Sequence, residues 1–429
     1  MSRIMKDSGI PWIGRIPVEW SIGKVSYFFD IQLGKMLQPE AHDEADTLEE
    51  YLCAANLGGN KLKTDTLKKM WFSPSDKVKY DVRKGDLLVV EGGDIASCDV
   101  VGDDVHNLFI QNALHRVRST AGYNVRFLRY LLILAKSQGY IDLICNKATI
   151  AHFTKDKFAA IPFPVIPVSE QERIVSFLDN ECNHIESVIE QTRSSIEEYK
   201  KLKQAVITHA VTKGVRSSRQ TKESGIDWVG DIPSEWKVQR IKTIFQLRDE
   251  RNYLPLEEVN LISLYTDLGV VQHSDLEKTT GNKASNADGY KIVYENDIIV
   301  NIILCWMGAI GRSAFTGVTS PAYDIYIPSD KIECRFYHHY FRTKGFSGEC
   351  YKRGKGIMAM RWRTYSDQFR DIRVVVPPIE EQREILAYLD KKTAEIDVLI
   401  SKKEQFISEM EAYKKALIYD YVTGKKEVV

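Results

Sequence analysis

The 429-residue chain lacks an excess of charge of either sign, because 59 Lys and Arg side chains balance 59 Asp and Glu side chains. Without an overall basic field, any contact with nucleic acid has to come from local patches of basic residues. The seven cysteines are scattered, odd in number and never arranged as Cys-x-x-Cys. This usage argues against a disulfide framework or a zinc knuckle and predicts reduced thiols in a cytoplasmic protein.

Long apolar runs and catalytic motifs are also missing. The start MSRIMKDSG has no apolar signal-peptide core, and the most apolar stretch, 298–311, is too short for a membrane span, so we interpret it as a buried strand and turn. The sequence has no GxxxxGK[ST] phosphate loop and no Asn-Pro-Pro-aromatic methyltransferase motif. The adjacent His338 and His339 favour packing or exposure over metal binding. We therefore expect no catalytic residue and no metal site.

What the chain does have is an internal repeat. DSGIPWIGRIPVEW at 7–20 recurs as ESGIDWVGDIPSEW at 223–236, with nine of fourteen positions identical. PVSEQERIVSFLD at 167–179 recurs as PIEEQREILAYLD at 378–390, and the likeness continues without gaps to the end of each segment's helical pattern. Two similar halves offer two similar surfaces. The repeat therefore favours a protein with two binding surfaces over an enzyme with one active site.

Each half consists of a Trp-Pro block, a variable globular region and a long helix. The variable regions mix strand and helix patterns, with a predicted strand before the prolines at the end of each region. The fold class we expect is α+β, with two mixed α/β domains and two long helices. The predicted segments are a first block and domain at 1–166, a first helix at 167–214, a linker, second block and second domain at 215–377, and a second helix at 378–429.

The long helices carry apolar residues at heptad spacing, which is typical of a coiled coil. One predicted series is Leu178, Ile185, Thr192, Tyr199 and Val206, repeated as Leu389, Ile396, Met410 and Leu417. The other is Ile174, Val188 and Leu202, repeated as Ile385, Leu399, Phe406 and Tyr413. We expect the two helices to pair antiparallel, with the domains at opposite ends. The alternative is that each helix packs on its own domain.

The repeated motifs P-x-x-E-Q-x-x-I-x-x-x-L-D and W-x-G-x-I-P-x-x-W, in this tandem order, resemble the DNA-specificity subunit of type I restriction–modification systems. The resemblance covers essentially the whole chain. It implies that each variable domain is a target recognition domain for one half of a bipartite DNA site and that the coiled coil sets the spacer. It also implies two docked methyltransferase (modification) subunits that bind S-adenosylmethionine and methylate adenine N6. Restriction subunits would use ATP and Mg. The chain itself would have no cofactor.

Candidate DNA-contacting residues come from two basic, aromatic-containing segments, 59–84 and 351–370, and from nearby positions. In the first half they are Lys61, Lys63, Lys68, Lys69, Arg116, Arg118, Lys147 and His152. In the second half they are Lys352, Arg353, Lys355, Arg361, Trp362 and Arg363. Of Arg116 and Arg118, on a predicted strand, we expect one to face DNA and the other to face away. The alternative is that such charged runs are only solvated surface.

Candidate partner-docking residues lie in the repeated motifs. They are Trp12, Trp20, Glu170, Gln171, Trp228, Trp236, Glu381 and Gln382. The tryptophans are expected to form a structural cap that partly faces the methyltransferase subunit. Two other functions remain open from the residues alone. A coiled-coil scaffold without a DNA role would explain the helices but not the paired basic segments. A fused restriction nuclease would need motifs that the sequence does not contain.

Overall fold

The computed structural model describes residues 3–103, 105, 107–145, 152–275, 286–356 and 362–428. The chain forms two compact units. The first unit comprises Met1–Thr192 together with Gln405–Val429, and the second comprises Arg193–Glu404. Both boundaries fall inside long helices, so this division does not test the four predicted segments. Within the described ranges, no helix has both the length and the apolarity that crossing a membrane requires.

Among its described residues, the first unit contains a four-stranded sheet, a three-stranded sheet and three two-stranded pairs. Its strands are β1 Met5–Asp7, β2 Arg15–Pro17, β3 Ser21–Lys24, β4 Phe29–Leu33, β5 Thr47–Leu52, β6 Leu57–Gly58, β7 Lys61–Leu62, β8 Lys68–Phe72, β9 Leu87–Val90, β10 Cys98–Val100, β11 Phe109–Ile110, β12 Leu114–Ser119 and β13 Pro162–Val165. An antiparallel sheet has the order β10-β9-β12-β4, and a smaller sheet the order β11-β5-β8. All four residues of β9 are buried, because the strand is central and covered on both faces.

The α-helices of the first unit are α1 Pro74–Lys79, α2 Val125–Ser137, α3 Tyr140–Ile144, α4 Lys155–Ala159 and the long α5 Val168–Lys213, which continues into the second unit. Helices α2 and α4 pack against the four-stranded sheet, and α1 packs against β8. Helix α2 buries Phe127, Leu128 and Leu131, whose i, i+1, i+4 spacing places them on one face. These side chains join Phe163 of β13 and Ile174 of α5 in one core cluster. The start of α5 is therefore part of the first domain's core.

The second unit repeats this architecture. Its elements are β14 Thr221–Glu223, β15 Asp231–Pro233, β16 Lys237–Arg240, α6 Ile241–Ile244, β17 Phe245–Arg248, β18 Ile262–Tyr265, β19 Gly269–Gln272, β20 Lys291–Val293, β21 Ile298–Asn301, β22 Ile310–Arg312, β23 Gly317–Thr319, β24 Tyr323–Pro328, α7 Cys334–Phe341, α8 Lys344–Arg353, α9 Ser366–Arg370, β25 Arg373–Val376 and α10 Ile379–Val422. Its antiparallel sheet has the order β22-β21-β24-β17. Strands β21, β22, β24 and β17 thus correspond to β9, β10, β12 and β4, which confirms the predicted duplication and the mixed α/β domains.

The two long helices pair antiparallel, and each unit shows this by itself. In the first unit the rings of Phe177 and Tyr421 lie 4.4 Å apart, and Glu186 forms an ion pair with Lys414. In the second unit Lys203 bonds Asp397 at 2.7 Å, and Arg216, just after α5, bonds Glu384 at 2.7 Å. In both units the residue number rises along α5 while that of its partner falls. The antiparallel coiled coil is confirmed.

The second predicted heptad series holds only at the start of each helix, where Ile174 and Ile385 are buried, and is wrong further along. Leu178, Ile185, Leu389 and Ile396 of the first series are buried as expected, but Leu202, Leu399, Phe406 and Tyr413 are exposed. In α5 the second stripe of the seam consists of Cys182, Ile189 and Ile196, which are buried. A seam alternates steps of three and four residues, and the sequence reading took the step of three where the helix uses four.

Candidate DNA interface and domain–helix junctions

The repeated Glu-Gln pair at the start of α5 joins this helix to its own domain. Gln171 is fully buried, and its Nε2 donates to the Ile166 carbonyl at 3.1 Å while its Oε1 accepts the Asn124 N–H at 2.9 Å. Asn124 is the N-cap residue of α2. Further along α5, Asp179 accepts hydrogen bonds from Arg126 and from the Tyr130 hydroxyl, both at 2.7 Å. The motif thus fixes the start of α5 against the start of α2.

The second Glu-Gln pair makes the equivalent contacts in the second unit. Gln382 is fully buried, its Nε2 donates to the Pro377 carbonyl at 2.8 Å, and its Oε1 accepts the Glu333 N–H at 2.9 Å. Glu333 is the N-cap residue of α7. Asp390 accepts a hydrogen bond from Arg335 at 2.6 Å. The repeated motif is therefore a domain–helix junction, because the same side chains satisfy the same kind of backbone group twice.

The glutamate of each motif belongs to a second repeated contact, which sequence reasoning missed. Arg3 lies over the ring of Trp20, 5.7 Å from its centroid, and pairs with Glu170 at 2.5 Å. In the second unit Arg219 lies 5.8 Å from the Trp236 centroid and pairs with Glu381. The indole Nε1 of Trp236 also donates to Glu381 at 2.9 Å. The two arginines stand just before the repeated blocks and belong to the same repeat, because Ser2-Arg3-x-x-Lys6 recurs as Ser218-Arg219-x-x-Lys222, a signal that the sequence reading did not use.

Most of the residues predicted to dock a partner subunit are buried in these junctions, so that prediction has to be corrected for them. Trp20, Gln171, Trp236 and Gln382 have no exposed surface, and Trp12, Glu170 and Glu381 retain less than a tenth of theirs. Trp12 stacks on Tyr140 with ring centroids 5.2 Å apart. The structural cap is therefore what these side chains form. Trp228, packed 5.3 Å from Tyr340, is half-buried and stays a candidate for contact with a partner.

The residues directly after two DNA-contact candidates, His152 and Arg363, make matched backbone hydrogen bonds in the two domains. In the first domain the Phe153 N–H donates to the Glu91 carbonyl at 2.8 Å, and Gly92 forms a bridge with His152. In the second domain the Thr364 N–H donates to the Ile302 carbonyl at 2.9 Å, and Lys355 forms a bridge with Arg363. Glu91 and Ile302 directly follow the equivalent strands β9 and β21. Lys147 and Arg361 lie outside the described residues.

The basic residues of the first domain fall into two groups. Lys61, Lys63, Lys68 and Lys69 are exposed, as is His152. Lys69 lies 3.6 Å from Glu50 on the neighbouring strand β5, and Lys157 donates to the His152 carbonyl at 3.1 Å. These exposed side chains are available for phosphate contact, and their role stays a prediction.

Arg116 and Arg118 form the other group, and the expectation that they face opposite ways is wrong. Both bind Asp81, because residues two apart in a strand lie on the same face. Burial lowers the pKa of Arg116, while the hydrogen bonds of Asp86 raise that of Arg118. Although burial alone would raise the pKa of Asp81, Arg118 and its neighbours hold it below the usual value. This cluster stabilises the sheet.

In the second domain the basic residues surround a group of aromatic rings. Trp362 stacks on Tyr351 with centroids 5.0 Å apart and planes at 24°, and its Nε1 donates to the Tyr351 carbonyl at 3.1 Å. The ring of Tyr351 also contacts Trp306, with the two ring centroids 5.6 Å apart. Sequence reasoning selected Trp362 but missed Trp306, because Trp306 lies in the apolar run 298–311, which was interpreted as a buried strand and turn.

Of the five basic residues predicted in the second domain, the four that the structure describes differ in their ion pairs. Lys352 pairs with Glu349 at 3.1 Å, and Arg353 lies 3.9 Å from Asp371. Lys355 is exposed and Arg363 half-buried, and within the described part of the chain neither has a carboxylate partner at ion-pair distance. Their charges are therefore free to attract an anion.

Metal binding receives no support from the described part of the chain. Within it, no three or more His, Cys, Asp or Glu side chains are placed to hold an ion. Burial lowers the pKa of His338 to about 3 and that of His339 to about 4, and the Nδ1 of His338 accepts the Arg312 N–H at 3.2 Å. Both histidines are therefore neutral packing residues at neutral pH.

Comparison with known proteins gives a family match in both halves. The profile of the family described as type I restriction modification DNA specificity domain matches residues 17–198 and 233–407. A similar protein is the type I restriction enzyme MjaVIII specificity subunit of Methanocaldococcus jannaschii, 22% identical, with 96% of this chain and 94% of that protein covered. The putative MjaX specificity subunit of the same organism is 26% identical over 70% of this chain and 68% of its own.

Solved structures show the same fold. A chain from a structure described as the basis of complex assembly and conformational transition of the type I R-M system superposes with a TM-score of 0.69. It is 14% identical, and 96% of this chain and 99% of that chain are covered. The HsdS subunit from Thermoanaerobacter tengcongensis gives a TM-score of 0.53 at 16% identity, covering 96% of this chain and 98% of its own.

Proposed function

This chain belongs to the type I restriction–modification DNA specificity family, and from that premise we propose that each of its two domains reads one half of a bipartite DNA site. It is the specificity subunit of such a system, with two recognition domains. The catalytic work, methylation of adenine N6 and restriction, belongs in this proposal to partner subunits.

The observation that carries the proposal is a backbone contact that the two domains share. Equivalent strands, β9 and β21, each lead to a carbonyl that accepts the N–H of the residue after a DNA-contact candidate: Phe153 follows His152 in one domain, and Thr364 follows Arg363 in the other. The residues around His152 and Arg363 differ in sequence while this backbone contact is the same. Two domains that recognise different DNA sequences with the same fold require such a shared backbone contact. The side chains contact the bases, and the backbone only holds them in position.

In the second domain we propose Arg363 and Lys355 as the central contacts. Arginine can donate two hydrogen bonds to the O6 and N7 atoms of guanine in the major groove, and lysine can neutralise a phosphate. Trp362, held on Tyr351, would set the position of the adjoining segment, to which Arg361 belongs. In the first domain the corresponding candidates are His152, Lys147 and the exposed lysines Lys61, Lys63 and Lys68.

The partners in this proposal are double-stranded DNA, two copies of the modification subunit and restriction subunits. The modification subunits would bind S-adenosylmethionine, and the restriction subunits ATP and Mg, so that this chain needs no cofactor of its own. The seven cysteines are free thiols, which supports a cytoplasmic location for the complex. The coiled coil of α5 and α10 would set the unread spacer between the half-sites.

The test is methylome sequencing of cells that carry this chain with its modification subunit. The unchanged chain is expected to yield one bipartite methylated site with an unmethylated spacer. Arg363→Ala is expected to cost about 1–3 kcal/mol and to relax recognition in one half-site only. The matched control is Lys344→Ala, which removes an exposed lysine at the start of α8 and should leave the site unchanged. Equal loss in both half-sites would refute the assignment of one domain to one half-site.

A further inference from the structure

Each unit exposes a pair of large apolar side chains in the loop that follows its equivalent edge strand. After β4, Met36 is 77% exposed and Leu37 58% exposed, and we call this pair the first apolar tip. After β17, Tyr253 is 79% exposed and Leu254 54% exposed, and this pair is the second apolar tip. Single exposed apolar residues are common on protein surfaces, but a pair at the same topological position in two units is a repeated feature.

The backbone of the first apolar tip is held in place from within its unit. The next residue, Gln38, is buried, and its Nε2 donates to the Glu40 carbonyl at 3.1 Å and to Asp46 at 2.9 Å. The Trp71 N–H donates to the Gln38 carbonyl at 3.0 Å. The exposure of Met36 and Leu37 is therefore fixed by the fold.

A buried amide side chain holds the second apolar tip as well. Asn252 precedes Tyr253, and its Nδ2 donates to the carbonyls of Leu254 and Ala287, both at 2.9 Å. Its backbone N–H donates to the Tyr290 carbonyl at 2.8 Å. In both loops, although their sequences differ, a buried amide side chain next to the tip holds the backbone so that two apolar side chains are exposed to solvent. Removing these apolar side chains from water is favourable, which favours a partner that covers them.

The charge around both tips is negative. Exposed carboxylates follow the first apolar tip at Glu40, Asp43 and Glu44, and the second at Glu257 and Glu258. Carboxylates repel the phosphates of DNA, which makes these loops unsuitable as DNA contacts. The same charges suit a protein surface with an apolar pocket and a basic rim.

We propose that the two apolar tips are docking sites for two copies of one protein partner, the modification subunit, each received by an apolar pocket with a basic rim. This inference rests on the proposed function, which supplies the identity of the partner. A duplicated site calls for two copies, because two similar surfaces bind the same partner surface twice. It also replaces the docking residues chosen from the sequence, most of which are buried.

The experiment measures how many modification subunits bind the full-length chain. Native mass spectrometry is performed on the chain mixed with the modification subunit of the same system. The test variants are Met36→Ser with Leu37→Ser, Tyr253→Ser with Leu254→Ser, and all four changes together. The matched controls are Val78→Ser and Leu268→Ser, which remove equally exposed apolar side chains elsewhere in each unit. Thermal unfolding of each variant verifies that the fold is kept.

The unchanged chain and both controls are expected to bind two copies, each double variant one copy, and the fourfold variant none, with at least a tenfold loss of affinity at each altered site. A variant set that still binds two copies with unchanged affinity overturns the inference. So does a fourfold variant that assembles normally but no longer binds duplex DNA, since the tips would then be DNA contacts. Failure of the unchanged chain to bind any modification subunit would refute the proposed function instead.

As a second measurement, Glu257→Gln with Glu258→Gln probes the basic rim. If the rim is present, this variant binds the modification subunit more weakly at low salt, and its affinity depends less on salt than that of the unchanged chain. An unaltered salt dependence contradicts the basic rim. Neither substituted side chain takes part in the hydrogen bonds of Asn252 that hold the loop, so the loop is expected to keep its conformation.

Discussion

At the scale of single residues, the sequence identified basic side chains but could not divide them by role. Arg116 and Arg118 occupy a strand that reads like a DNA-contacting one, and only the fold brings Asp81 and Asp86 against them. These partners lie more than thirty positions away in the chain, so no local pattern reveals them. Lys355 and Arg363 were selected by the same reading and have no such partners within the described residues.

The first residue-scale prediction concerns Arg116→Ala. The side chain is 7% exposed and donates to Asp81 and to the Lys79 carbonyl, so its removal leaves a largely buried carboxylate short of a partner. We expect the free energy of unfolding to fall by about 3 kcal/mol, measured by urea denaturation. Lys63→Ala, at an exposed position, should change it by less than about 0.5 kcal/mol. Unchanged stability combined with altered DNA recognition would contradict a structural role.

The second concerns pH and follows from the lowered pKa of Asp81. A carboxylate with a lowered folded-state pKa stabilises the fold above its unfolded pKa, about 3.9, and this contribution disappears as the pH falls through the folded-state value. The destabilisation by Asp81→Asn should therefore be largest at neutral pH and shrink in acid. Urea denaturation between about pH 7 and pH 2.5 measures this difference. Asp103→Asn, at an exposed position, is the control. A loss of stability in Asp81→Asn that grows as the pH falls would contradict a lowered pKa of Asp81 in the folded state.

At the scale of elements, the sequence predicted the existence of both long helices but misplaced part of their seam. Helix α5 begins at Val168 and α10 at Ile379, close to the predicted starts. The seam was ambiguous because α10 carries apolar residues on two neighbouring stripes, and Leu399 and Phe406 belong to the exposed one. Only a partner helix decides which stripe is buried. Strand order could not be derived for a similar reason, since pairing joins strands far apart in the sequence.

The repeated glutamines lead to an element-scale prediction. Gln382→Ala removes the acceptor of the Glu333 N–H and the donor to the Pro377 carbonyl, both at the domain–helix junction. Each buried group left without a partner costs about 1–3 kcal/mol. We expect faster amide hydrogen exchange at the start of α7 and of α10 in this variant. Gln171→Ala should have the same effect at the start of α2 and of α5.

The control for this prediction is Gln204→Ala, which changes an exposed glutamine in α5 and should leave exchange unaltered. The two variants also test the independence of the junctions. Gln382→Ala should not accelerate exchange at α2, and Gln171→Ala should not accelerate it at α7, because each junction is built from residues of one compact unit. A uniform increase across the chain would instead indicate one cooperative unit.

At the scale of the whole molecule, duplication accounts for what the sequence could and could not predict. The repeated blocks became the junctions, whose contacts are the same twice because the same backbone groups have to be satisfied. The variable regions became sheets of the same topology, β10-β9-β12-β4 and β22-β21-β24-β17, although their sequences agree only faintly. The matched apolar tips give only a faint signal in the sequence, since Leu37 and Leu254 agree while Met36 and Tyr253 differ. Equivalence of this kind lies in position on the fold.

The last prediction tests the coiled coil as the element that sets the spacer. Seven residues, one heptad of the seam, are inserted after Ser195 in α5 and before Glu404 in α10, which keeps the heptad register of both helices. Seven residues add about 10.5 Å of helix, the length of about three base pairs. We expect methylome sequencing to show the same two half-sites with a longer spacer. Insertion into α5 alone should abolish methylation, because it breaks the seam, and an unchanged spacer in the double insertion would exclude the coiled coil as the determinant of spacing.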